Sequence, residues 1–154
     1  MTHEQLLAIV DCPRTFLGRG YKIHVRIAAK KERMEFWRQQ AESATAALRL
    51  GGELSAGGYK QSLIENAVVG MISMEEEIAA EIEDLMQTER DIRQAINELV
   101  TDTRHKTLLE MRYLDQIRME EIATQMRYSF RWVQRLHKKT LKELKQAALS
   151  ALKT

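Results

Sequence analysis

The chain has 154 residues, 44% of them hydrophobic, 30% charged and 6% aromatic, with one cysteine and one proline. That length suits one ordinary domain or two small ones, the lone Cys12 excludes an internal disulfide framework, and no apolar run of roughly 18 residues exists to span a bilayer. The net charge of +2 conceals segregation: residues 1–61 carry +4, 62–102 carry −9 and 103–154 carry +7.

A basic end beside an acidic middle suits different partners for each, and nucleic acid is a candidate only for the basic end. The abundance of Ala, Leu, Ile, Met, Glu, Lys and Arg favours helix. The opening residues His3, Glu4 and Gln5 lack the basic-then-apolar form of a signal peptide. With a single cysteine, they lead to the expectation of a reducing, cytoplasmic setting without membrane contact.

In chain order, residues 1–20 read as an N-terminal segment. A short helix from Glu4 to Val10 is followed by a break punctuated by Pro13, Gly18 and Gly20. Residues 21–101 read as a helical hairpin. Its first helix runs from Tyr21 to about Leu50, with seams Ile27, Met34, Ala41, Leu48 and Ile23, Lys30, Trp37, Ala44, each seven apart. Residues 51–62, with four glycines, read as the connecting loop, and Ser62 with Glu65 forms a candidate capping box for the second helix. There Ile64, Met71, Ile78, Leu85, Ile92 and Leu99 recur every seven residues. The companion seam is taken as Val68, Glu75, Ile82, Glu89 and Ile96. An antiparallel register pairing Leu48 with Ile64 and Met34 with Ile78 satisfies the main seams together. The first helix is basic and the second acidic, so their surfaces attract. A two-helix hairpin buries little surface, and a homo-oligomer formed through the long helices is expected.

Thr101, Asp102 and Thr103 offer caps for a third region, residues 102–154, read as three or four short helices. The fold class is therefore all-α: a long, coiled-coil-like antiparallel hairpin followed by a C-terminal helix-turn-helix domain. In that last region Ile122, Ala123 and Met126 form the apolar face of one short helix, with small Ala123 where two helices cross. Tyr128 lies in the turn and Ser129 is a good N-cap. Val133, Leu136, Thr140 and Leu144 then share one face of a second helix, whose opposite face carries Arg131, Gln134, Arg135 and Lys138. A helix apolar inward and basic outward is what a major groove admits. Arg reads guanine edges, Gln reads adenine, and Lys mostly meets phosphate.

This stretch, Met119 to Lys138, resembles the helix-turn-helix of sigma factor region four. The resemblance extends upstream through Leu108-Leu-Glu-Met-Arg-Tyr-Leu and downstream through Lys139-Thr-Leu-Lys-Glu-Leu, about a third of the chain. Where that family usually has glycine in its turn, this chain has Arg127, at a position that tends to be left-handed. The layout also resembles small phage and prophage transcription regulators. The resemblance implies a sequence-specific DNA-binding transcription regulator working in the cytoplasm of a bacterial host. Its partner would be double-stranded DNA, with RNA polymerase a second candidate. Ser129, Phe130, Arg131, Gln134 and Arg135 are the candidates for base contact, and Arg127, Lys138, Lys139 and Lys142 for phosphate contact. The alternative is a DNA-packaging adaptor of small-terminase type, or a polymerase-binding protein.

Other constellations read as structural. Trp132 is expected to pack partly against the preceding helix or lie over the backbone rather than stack on a base, and His137 to meet phosphate or sit on the surface. His3, His24 and His105 are scattered without ligand spacing, so no metal site is expected. Glu75, Glu76, Glu77, Glu81, Glu83 and Asp84 read as a solvated face or as partners of the basic first helix. No phosphate-binding loop, dinucleotide fingerprint or nucleophile elbow appears. The expectation is a protein that is not an enzyme and takes no cofactor.

Overall fold

The structure is a computed structural model that describes residues 1–50 and 54–154. All regular elements of the described residues are helical. Helix α1, His3–Asp11, starts on a capping box in which the Thr2 hydroxyl accepts from the Gln5 N–H and the Gln5 side chain accepts from the Thr2 N–H. Pro13 then opens α2, Pro13–Leu17, at a position where a missing N–H costs nothing. The long helices follow as α3, Arg19–Arg49, and α4, Leu54–Leu99. Asp102 caps α5, Thr103–Leu109, by accepting from the Arg104 N–H. The chain continues into a π-helical turn, Glu110–Leu114, then α6, Met119–Met126, and α7, Phe130–Lys153. The last helix is longer than the short pieces expected of this region.

Residues 23–84 form one compact unit. In it α3 and α4 run antiparallel: Arg26 pairs with Glu81 at 3.1 Å, Lys30 reaches Glu81 and Glu77, and the Trp37 ring lies against Gly70. The acidic helix thus does meet the basic one at these positions, and Arg26 and Lys30 together hold the Glu81 carboxyl below the usual carboxylate range. Such partly exposed pairs stabilise by about 1 kcal/mol or less each, so they orient the helices more than they hold them.

Two features of the expected hairpin change. Cross-helix contacts of residue 30 with 77 and of 37 with 70 set α3 about one turn away from the register that pairs Met34 with Ile78. The companion seam also moves by one residue. Ala67 and Thr88 are buried and Met74 and Glu81 half-buried, whereas Val68 and Ile82 are each 41% exposed. The buried stripe therefore alternates steps of three and four residues from Ile64, which is the coiled-coil rule. This removes Glu75 and Glu89 from the seam and places Glu81 in it, where it is paired. Ser62 does not cap a helix: it lies inside α4, as do Gly57 and Gly58. Gly51 and Gly52 of the expected loop lie outside the described residues.

The Trp37–Gly70 contact gives a test of this packing. A Cβ on Gly70 would sit 2.9 Å from Trp37 Cε2. In an open helix Gly→Ala stabilises by about 1 kcal/mol, but overpacking costs about 1–3 kcal/mol. Gly70→Ala is expected to lower the melting temperature by a few degrees; a rise would show that the ring does not rest there.

Residues 1–22 and 85–154 form the other compact unit. This division differs from the expected segments 1–20, 21–101 and 102–154. One core cluster gathers Leu6 and Ile9 of α1, Phe16 and Leu17 of α2, Ile92, Ala95 and Ile96 of α4, Val100, Leu109 of α5, and Leu144 and Ala148 of α7. A second cluster, Leu108, Ile122, Ala123, Val133 and Leu136, locks α5, α6 and α7 together. The last helix is therefore anchored over its length, its N-terminal half by α5 and α6 and its C-terminal half by α1 and α2.

Candidate nucleic-acid interface

The turn between α6 and α7 is built by backbone bonds. The Tyr128 N–H donates to Ala123 O at 3.0 Å and the Arg127 N–H to Thr124 O at 3.3 Å, the paired closure of a Schellman motif. That closure requires a left-handed residue, and Arg127 supplies it with φ 62° and ψ 39°. Ser129 then caps α7, its hydroxyl accepting from the Trp132 N–H at 3.2 Å. Ala123 is buried where α6 meets α7, and its small side chain permits the close crossing. Half-buried Tyr128 packs on the same cluster.

Every sequence-predicted contact residue is exposed: Arg127, Ser129, Phe130, Arg131, Gln134, Arg135, Lys138, Lys139 and Lys142. The structure brings five of them onto one stripe. Arg131, Gln134, Arg135, Lys138 and Lys142 are spaced by three or four residues along α7, opposite the buried Val133, Leu136, Thr140 and Leu144. No carboxylate shares that stripe. Two predicted residues fall beside it rather than on it. Phe130 lies about 100° around the helix from Arg131, and Lys139 lies on the opposite flank. Trp132 is 45% exposed and its ring sits 6.2 Å from that of Tyr128, so one side of it packs on the turn.

His137 is not a surface residue. It is buried at 8% exposure, stacked 5.7 Å from the Tyr113 ring, with its Nε2 2.7 Å from the Tyr113 hydroxyl. Burial, reinforced by the positive charges of Arg14 and Arg112, pushes its pKa down to about 4. The ring is thus neutral near pH 7, and it shares a hydrogen bond with the Tyr113 hydroxyl whose direction follows the ring tautomer. Burial likewise raises the Tyr113 pKa. The signal for this was present in the sequence, since 133, 137, 140 and 144 share one face of a helix. His105 also acquires a partner: it is buried, with its Nδ1 2.6 Å from Glu143 Oε2, which ties α5 to α7.

Beside the α7 stripe opens a cleft of about 800 Å³. Arg14 comes to it from α2 and Lys22 from the first turn of α3, Arg112, Tyr113 and Gln116 from the π-helical turn and the residues after it, and Arg118 and Met119 from the start of α6. Gln134, His137 and Lys138 of α7 form the remaining wall. The π-helical turn is held open by the Arg112 guanidinium donating to Ile117 O and by left-handed Gln116, whose amide donates to Tyr113 O. Sequence reasoning missed Arg14, Lys22, Arg112 and Arg118: the first two belong to segments read as separate from the C-terminal region, and the last two lie outside the helix read as contacting DNA.

Among the described residues no three metal-ligating side chains converge, and no helix is long and apolar enough to cross a membrane. No curated protein and no solved structure matches the chain. A protein-family model described as "Protein of unknown function (DUF1492)" matches residues 52–145, more than half of the chain, and the chain belongs to that family.

Proposed function

We propose that the protein is a sequence-specific DNA-binding transcription regulator that inserts α7 into the major groove. The observation that carries this reading is the carboxylate-free stripe Arg131, Gln134, Arg135, Lys138 and Lys142, mounted on a rigidly capped helix. Arg131, Gln134 and Arg135, nearest the start of α7, read base edges with Ser129 and Phe130; Lys138, Lys139, Lys142 and Arg127 meet phosphates. The resemblance of Met119–Lys138 to the sigma region-four module supports the same docking, and that of the whole layout to phage regulators supports the regulatory role. RNA polymerase is a further partner that the region-four likeness brings in.

One such module binds weakly on its own, and a second copy is the natural supplement. Val68, Ile72 and Ile82 of α4 are 41%, 51% and 41% exposed and lie off the seam that faces α3. These side chains, with Glu75 between them on the same face, mark the surface through which the long helices pair with another chain. Sedimentation separates this reading from a packaging adaptor: a dimer supports regulation from paired half-sites, and a ring of many copies supports packaging.

Selection of bound duplexes from a random-sequence pool, followed by sequencing, tests the reading. An enriched motif is expected, and binding without any sequence preference would contradict it. Arg127 offers a second check with opposite signs. Arg127→Gly relieves a left-handed side chain and should stabilise the fold by about 1 kcal/mol. It also removes a cation that meets phosphate, so the log–log salt slope of DNA binding should become shallower by about 0.9. A variant that melts higher and binds with an unchanged slope would remove Arg127 from the interface.

A further inference from the structure

The geometry points to the basic cleft as a seat for the DNA sugar–phosphate backbone, which makes the N-terminal helices part of the DNA-binding surface. This rests on the DNA-binding reading above. Five cations, Arg14, Lys22, Arg112, Arg118 and Lys138, come from five separate parts of the chain to line one space, with no carboxylate among its lining side chains. Bringing like charges together costs free energy that a bound polyanion offsets. Their common ligand is a run of phosphates rather than a single carboxylate, because a volume of about 800 Å³ far exceeds one small anion.

Continuity with α7 selects DNA as the source of those phosphates. Gln134 and Lys138 belong at once to the cleft wall and to the outward stripe of α7. A duplex whose major groove receives α7 therefore lays a backbone across the cleft mouth. The wall on the α7 side is fixed by the Tyr113–His137 hydrogen bond, and the neutral His137 adds no charge of its own. Arg14, Lys22, Arg118 and Lys138 are exposed, and Arg14 also faces the Tyr113 hydroxyl.

The paired substitution Arg14→Gln with Lys22→Gln tests this, because both side chains lie far in sequence from α7 and outside the core. Affinity should fall equally for selected and random duplexes, and the salt slope should become shallower by about 2, close to one for each cation removed from a phosphate. The selected motif should be unchanged. Arg118→Gln should give about half that effect, with a circular dichroism melt matching the wild type in each case. Wild-type affinity and slope in both variants would overturn the cleft proposal while leaving the α7 reading standing. Absence of any duplex binding by the wild-type protein would overturn both. A variant that loses binding of inorganic tripolyphosphate yet keeps full DNA binding would assign the cleft to a free phosphorylated ligand, and overturn the backbone seat.

Discussion

A fragment of residues 102–154 is expected to lack a cooperative fold, although it contains the whole helix-turn-helix. Eight of the eleven buried members of the larger core cluster lie outside it, in α1, α2, the end of α4 and Val100. Without them Leu109, Leu144 and Ala148 are uncovered, as are the half-buried Tyr113, Leu141 and Leu152. Each large side chain returned to water costs about 1.5–3 kcal/mol. What remains is the five-residue cluster around Ile122 and Val133, and a core in a chain of roughly 50 residues rarely supplies more than about 3–5 kcal/mol. Far-UV circular dichroism of the fragment should show reduced helicity and a broad, shallow melt. Joining residues 1–22 to 85–154 through a short linker should restore a sharp transition, because that set holds both clusters. A sharp transition in the short fragment would show that α1 and α2 are dispensable to α7.

Acid should weaken the protein through His137. Its folded pKa is about 4, against an ordinary value near 6.5. Above pH 6.5 the ring is neutral in both states and contributes no pH dependence. As pH falls from 6.5 towards 4 the unfolded chain binds a proton that the folded chain refuses, so stability drops. The loss reaches on the order of 3 kcal/mol below pH 4. The groups responsible are the apolar surroundings of the ring and the guanidinium groups of Arg14 and Arg112. His137→Gln should flatten the stability profile between pH 6.5 and 4.5 while leaving the carboxylate-dependent loss at lower pH. Equal slopes for wild type and variant in urea titrations across that window would show that the ring titrates normally.

The parts of this molecule legible in the sequence are those set by local rules. Ser129 was readable as a cap, and Asp102 as one of three adjacent candidates, because such side chains serve backbone N–H groups two or three residues on. The crossing at Ala123 and the basic stripe of α7 followed from spacing along two helices, and the left-handed turn at Arg127 from the resemblance to the region-four module. Long-range placement was not legible. The heptads of α3 and α4 repeat with little variation, so several registers satisfy them equally, and the step of three from Ile64 to Ala67 was hidden by Val68, an equally apolar neighbour. The loop expected at 51–62 rested on its glycines, yet Gly57, Gly58 and Ser62 are helical, carried by the helix that follows. His137 carried a core signal in its spacing, masked by Lys138 and Lys139 beside it. The cleft depends on Arg14 and Lys22 meeting residues about a hundred positions later, which no local pattern encodes.

The proposed regulator depends on the outward stripe of α7 reading DNA sequence. The most direct test is the binding of wild type and the Arg131→Ala, Arg135→Ala double variant to the selected duplex and to a scrambled one, at two salt concentrations. Each bidentate arginine contact discriminates by about 1–3 kcal/mol. The variant's affinity for the selected duplex should therefore fall by between about 30-fold and 10⁴-fold, and it should bind both duplexes alike. Undiminished preference for the selected duplex would contradict the account and move recognition to another surface.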